Sequence, residues 1–239
     1  MDLVTQQVEI DMDNGKIFKI APSGVDYALK CKRCLWLAYK GIKLDAFFPP
    51  IFNAFDLIQK KFLHTQSIKI MSNTLPDGRI MTELNGFIAS STLKDKKGRL
   101  FIISGKTDVV VEFNTKPKKY GIIDLKTTNI SPSKIENYKL QLESYATIFQ
   151  NPNSKTPKFS NVEELGLYLF EPKEIINISD KSCNMKFETL YLKGNRCHEE
   201  LINRITSIID IYMMKQPPDY NLACASCKFV TSLVKKKYV

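Results

Sequence analysis

The sequence predicts a single α/β domain, one mixed central β-sheet flanked by helices, with its N- and C-terminal segments drawn together by cysteines. Three observations carry this expectation. The apolar patterning runs helix, three strands, helix, strand, an order that builds one sheet with helices on its faces. The 239 residues suffice for one sizeable core and are short for two full domains. Each end of the chain carries a Cys-x2-Cys pair, Cys31/Cys34 and Cys224/Cys227.

Residues 1–20 read as a lead-in or short strand. Residues 22–40 have helical spacing, with Val25, Leu29, Leu35 and Leu37 apolar and Ser23 as N-cap. Pro49 and Pro50 break the chain, and a second helix runs over 53–64 with Phe55, Ile58, Phe62 and Leu63 on one face. Strands are expected over 86–93, 100–113 and 120–128, with a turn at 95–98 and a polar hairpin at 114–119. A helix over 133–149, capped by Ser131 or Ser133, follows, and then a loop at 151–158. Strands at 164–170 and 186–192 and a helix over 196–214 complete the core, and residues 216–239 form a cysteine clasp with a basic tail.

Composition narrows the class. Apolar residues make up 44% and charged residues 25%, ordinary for a globular protein. No apolar run approaches the roughly 18 residues of a membrane span, and the acidic N-terminus lacks the apolar stretch of a secretory signal, so a cytoplasmic location is expected. In such a chain the six cysteines are not a disulfide framework. The net charge of +10 favours a polyanionic partner, of which nucleic acid is the commonest.

The chemistry centres on GKTDVVV and GIIDLKTT. Asp108 lies in an otherwise apolar strand; Asp124 and Lys126, two apart in the next, share a face. A hairpin between the strands sets Asp108 beside them. Converging buried carboxylates repel, and a divalent cation such as Mg²⁺ or Mn²⁺ removes that penalty. Such an ion polarises a phosphoryl oxygen and activates a water, while a lysine stabilises the developing charge. A structural salt bridge is the plainer reading of one D-x-K triplet. Here the next helix adds Gln141 and Tyr145, four apart on one face, and His64 at the end of the earlier helix is a further candidate metal ligand.

A helix, then GKTDVVV, GIIDLKTT and QLESYA in that order, resembles the RecB-type nucleases of the PD-(D/E)XK superfamily, and within them the CRISPR-associated RecB-like exonucleases. The resemblance spans most of the chain. It implies a restriction-endonuclease-like core over 21–215, with a metal held by Asp108 and Asp124, Lys126 assisting catalysis, and Gln141 and Tyr145 completing the site. His64 would be the family's helix histidine. The implied activity is metal-dependent hydrolysis of DNA, at single-stranded ends, in repair, recombination or CRISPR adaptation. Rival readings are a non-catalytic nucleic-acid-binding protein on the same fold and a zinc-stabilised interaction module.

Cys31, Cys34, Cys224 and Cys227 have metal-ligand spacing and together make a four-thiolate site, suited to zinc or an iron–sulfur cluster. The resemblance favours a 4Fe–4S cluster, although that family's usual set is one N-terminal cysteine and three C-terminal ones, against two and two here. Cys183 and Cys197 lack such spacing and are expected to act as small apolar residues. Lysines and aromatics interleave at Lys116, Lys118, Lys119 and Tyr120, over 35–41 and over 234–239. These are candidate contacts to phosphate and unpaired bases, with Trp36 expected in the core.

Overall fold

The computed structural model describes residues 15–28, 30–42, 49–81 and 86–235. Along the chain these form β1 (Phe18–Ile20), α1 (Pro22–Tyr27), α2 (Lys32–Tyr39), α3 (Pro50–Leu63), β2 (Gly78–Ile80), β3 (Ile88–Ala89) and β4 (Leu93–Lys94). Next come β5 (Leu100–Gly105), β6 (Val109–Phe113), β7 (Tyr120–Thr127), α4 (Lys139–Gln150), β8 (Val162–Ile178), β9 (Cys183–Gly194), α5 (His198–Tyr212) and α6 (Ala225–Lys235). Leu29, most of the lead-in and positions 236–239 of the basic tail lie outside the described residues.

The strands form two mixed sheets where the sequence suggested one. In the first, β5 pairs parallel with β1 and antiparallel with β3 and β4; the second runs β2-β6-β7-β8-β9 and is antiparallel except at β7-β8. The difference arises at residues 106–108. The run over 100–113 reads as one strand, but Lys106, Thr107 and Asp108 leave the ladder and β5 and β6 enter different sheets. β-branched residues signal strand without signalling that the strand bends. Gly105, at the bend, lets α1 approach: a Cβ there would lie 2.8 Å from Cδ of Pro22.

The expected first helix is likewise two. Cys31, extended at φ −159°, separates α1 from α2 and caps α2, its Sγ accepting from the Cys34 N–H at 3.5 Å. Ala21, not Ser23, precedes α1, and Pro22 opens it. A 3-10 stretch, Pro132–Asn137, replaces the start of the helix expected at 133. β8 and β9 extend well beyond the segments expected at 164–170 and 186–192, because their distal halves are exposed polar and apolar residues without burial-driven alternation.

Two apolar clusters flank the second sheet. The larger joins α1, α4 and α5 to Val110, Ile122, Leu165 and Leu167; the smaller joins Leu63, Ile68 and Leu75 to Val109, Val111 and Ile123. The alternation of neighbours in β6 and β7 between the two clusters is the strand period at work. Residues Leu140 to Phe149 of α4 are all buried, so its polar side chains must be satisfied internally. Glu143 takes two 2.8 Å bonds from the Arg196 guanidinium, and Ser144 donates to the Leu140 carbonyl. Among the described residues no helix is long and apolar enough to cross a membrane.

Candidate functional site

β6 and β7 pair with Val109 opposite Ile123, so the next step sets Asp108 beside Asp124. There the ladder ends. The backbone N–H of Leu125, past the last β6 partner, donates to Oδ2 of Asp108 at 2.9 Å. β8 continues on the other side of β7, with Asp124 opposite Leu167 and Lys126 opposite Leu169. The carboxylates thus meet where β6 turns away, under the first turn of α4.

Asp124 is 3% exposed. Its Oδ1 accepts from the Gln141 side-chain amide at 3.0 Å. Its Oδ2 is met by the Lys126 ammonium. Burial pushes Asp124 up to about 7; the Lys126 charge opposes this and the neighbouring Asp108 carboxylate adds to it. Burial disfavours the Lys126 ammonium, yet Asp124 and then Asp108 outweigh it and hold its pKa above the usual lysine range. The Lys126 ammonium also lies 5.0 Å from the Tyr138 ring centroid.

Gln141 is placed from its backbone too: its N–H donates to Oδ2 of Asp26 at 3.1 Å. Burial pushes Asp26 up to about 6 despite that bond. Tyr145, one turn on, donates its phenol to the Lys106 carbonyl at 2.8 Å and so holds the bend that carries Asp108. Burial and then the Asp124 charge push its pKa upward, keeping the phenol neutral.

His64 is not gathered with the carboxylates. It is the C-cap of α3, one position past the helix. Among the described residues, ligand atoms of three or more His, Cys, Asp or Glu converge within 4.8 Å at the cysteines and not at His64, Asp108 and Asp124. What α3 delivers is Lys60, whose ammonium lies 2.7 Å from Oδ1 of Asp108 and 2.8 Å from Oδ1 of Asp56. The sequence reading missed Lys60. Its signal was the four-residue spacing Asp56–Lys60 on a helix preceding the carboxylate strands. Gln59 of the same helix donates to the Thr127 hydroxyl at 2.9 Å, fixing α3 over the end of β7.

Whether a metal fits can be judged from the donors. Asp108 and Asp124 offer hard carboxylate oxygens at the end of the β6–β7 ladder. Such donors suit Mg²⁺ or Mn²⁺. Each carboxylate is otherwise neutralised by one lysine, Lys60 or Lys126.

The second cluster joins the ends of the chain. Sγ of Cys31 lies 3.5 Å from that of Cys227, and Sγ of Cys34 lies 3.6 Å from Cys224 and 3.9 Å from Cys227. A tetrahedron of thiolates on one ion with bonds of about 2.3 Å has edges of roughly 3.8 Å; an iron–sulfur cluster uses the same four ligands spread wider. The cysteines could hold either. Burial raises the Cys31 and Cys34 thiols, whereas the backbone N–H of Cys227, the largest influence, draws Cys224 down to about 7. Around them the Arg33 guanidinium donates to the Pro218 carbonyl at 2.8 Å and stacks 3.8 Å from the Tyr220 ring centroid. The Trp36 indole donates to the Met214 carbonyl at 2.9 Å; half-buried, it ties helix ends together and is not a core residue. Cys183, expected to be apolar filling, is exposed on β9, and Cys197 is half-buried ahead of α5.

The Lys116–Tyr120 segment lies at the opposite end of β7 from Lys126. Lys118 pairs with Glu112 and Lys119 with Glu163, both at 2.7 Å, and Tyr120 stacks on Phe159 with centroids 4.2 Å apart. These residues are therefore not brought to the carboxylates.

No family model matches this chain, and no curated protein matches it. Among solved structures, the crystal structure of SSO0001 resembles it with a TM-score of 0.45 and 15% identity over 89% of this chain and 84% of that one. At this level the likeness carries no argument. The chain stands as a mixed α/β protein with an Asp–Asp–Lys cluster around the buried Asp124 and a four-cysteine cluster.

Proposed function

We propose that this protein is a metal-dependent DNA nuclease of the PD-(D/E)XK type, RecB-like, hydrolysing phosphodiesters at single-stranded ends in repair, recombination or CRISPR adaptation. The observation that carries the reading is the convergence of Asp108 and Asp124 beside Lys126, with Asp124 buried and its Oδ2 against the lysine ammonium. A purely structural ion pair does not need a second, half-buried carboxylate beside it, since like charges raise the cost of burial. Asp108 and Asp124 would hold Mg²⁺ or Mn²⁺. That ion supplies polarisation of the phosphoryl oxygen and an activated water.

The chain's own residues do the rest. Gln141 fixes Asp124 through Oδ1, and Oδ2 faces the Lys126 ammonium. The Lys126 ammonium adds positive charge where negative charge builds on the phosphate. Tyr145 secures the bend bearing Asp108 through the Lys106 carbonyl. The four cysteines would hold zinc or an iron–sulfur cluster as a structural clasp, and metal analysis with a visible absorption spectrum separates the two.

The test is degradation of end-labelled single-stranded and duplex DNA with Mg²⁺ or Mn²⁺. Lys126→Ala is expected to lower cleavage by roughly 10²–10³-fold, the cost of removing one transition-state donor. DNA binding without cleavage by the wild type, purified with its cysteine site filled, would give the lead to a non-catalytic binding protein. Closed circular DNA distinguishes attack at ends from internal cutting.

A further inference from the structure

Past the end of β7 stands a half-buried lysine whose charge no carboxylate meets. The Lys134 ammonium donates to the Thr128 hydroxyl at 2.9 Å, a neutral acceptor, and among the described residues no carboxylate pairs with it. The acidic side chains of the surrounding segments are engaged elsewhere. Glu136 pairs with Lys139 at 3.2 Å, and Glu171 takes Lys173 at 2.9 Å and the Ile130 N–H at 2.8 Å. Lys60 and Lys126, at the same end of the sheet, each meet a carboxylate. A charge held partly out of water beside only a neutral partner is stabilised by an incoming anion.

The fold sets where Lys134 sits. Thr128 extends the β7–β8 ladder by one step, its N–H donating to the Phe170 carbonyl at 3.0 Å, so Asp124, Lys126 and Thr128 alternate onto one face. Lys134 lies on the 3-10 stretch Pro132–Asn137, and Tyr138, which closes that stretch, has its ring centroid 5.0 Å from the Lys126 ammonium. Ile135 pins the stretch to the end of β9: a Cβ at Gly194 would lie 3.2 Å from its Cδ1. The lysine is therefore carried by a packed segment. Thr128 is four residues beyond Asp124, roughly 13 Å along the strand, too far for one phosphate to touch both Asp124 and Lys134. We propose that Lys134, braced by Thr128, binds a phosphate of the DNA strand next to the one held at Asp108 and Asp124. The inference rests on the nuclease reading for its substrate, and it sets the path of the strand from the carboxylates toward the 3-10 stretch.

The test uses the full-length protein with its cysteine site filled and a fluorescein-labelled single strand of DNA. Binding is followed by anisotropy without added divalent ions, so that the strand stays intact. Lys134→Gln removes the charge and keeps a donor for the Thr128 hydroxyl, which guards the fold. It is expected to weaken binding roughly tenfold and to lower the slope of log affinity against log salt by about 0.7. Lys134→Arg should restore both. Lys158→Gln, the same charge loss on the exposed 151–158 loop, should change affinity less than about twofold. Cleavage with Mg²⁺ then places the contact: Lys134→Gln should raise KM and leave kcat unchanged. A neutral methylphosphonate on one side of the scissile phosphate should raise the wild-type KM by a similar factor and add nothing in Lys134→Gln. Binding that depends on Lys134 in a protein that never cuts DNA would sink the nuclease reading and keep the phosphate site. Cleavage with Lys134→Gln indistinguishable from Lys158→Gln would keep the nuclease reading and overturn this proposal. No binding by the wild type, or a methylphosphonate effect that persists in full in Lys134→Gln, overturns it as well.

Discussion

At the scale of single residues, two lysines neutralise two carboxylates, Lys126 at Asp124 and Lys60 at Asp108. An ion held by those carboxylates must compete with both ammonium groups. Lys60→Met is therefore expected to tighten Mn²⁺ binding about tenfold, equivalent to roughly 1.4 kcal/mol, and to lower thermal stability in metal-free buffer, where the carboxylates lose a counter-ion. Isothermal titration and melting curves with and without Mn²⁺ read both; unchanged affinity would make Lys60 a structural partner only. Asp26 gives the pH prediction. Its carboxyl, ordinarily near 3.8, is raised to about 6 by burial, so the folded state binds its proton more tightly than the unfolded state does. The stability this confers is present below pH about 4 and is lost as the pH rises through about 6. Asp26→Asn should flatten that part of the stability–pH curve in denaturant titrations.

At the scale of elements, α4 is the beam on which the molecule is built. It touches both sheets, and its buried Glu143 depends on Arg196, which reaches in from the segment between β9 and α5. Arg196→Ala leaves that carboxylate uncompensated and is expected to cost about 3–5 kcal/mol; an unchanged urea midpoint would contradict this. The β8–β9 arm is the opposite case. Beyond Phe170 its residues are exposed on both faces, and its base rests on α3 through Phe55 and Phe187, with centroids 5.8 Å apart. Hydrogen exchange in the arm should precede exchange in α4, and replacing 173–184 by a short turn should leave the melting temperature nearly unchanged.

At the scale of the whole molecule, the four cysteines join the start of α2 to the start of α6, so they act on the two ends together. If the cysteines hold an ion, Cys227→Ser is expected to weaken its binding and lower the melting temperature, by roughly 2–4 °C for each kcal/mol of stability lost in a chain of this size. A metal-free preparation that melts with the wild type would remove the structural role. The net charge of +10 belongs to this scale too: under the proposed function, association with DNA is expected to weaken as salt rises.

The sequence by itself determined the mixed α/β class, the cysteine pairing in kind, and the shared face of Asp124 and Lys126, because strand period and Cys-x2-Cys spacing are local properties. It also placed Gln141 on the helix face that meets Asp124. Only the tertiary structure decided that Asp108 sits at a bend between two sheets, since a bend depends on what Gly105 and Leu125 meet across the chain. The same holds for Lys60, whose ammonium meets Asp108 only because the fold lays α3 over the end of β7.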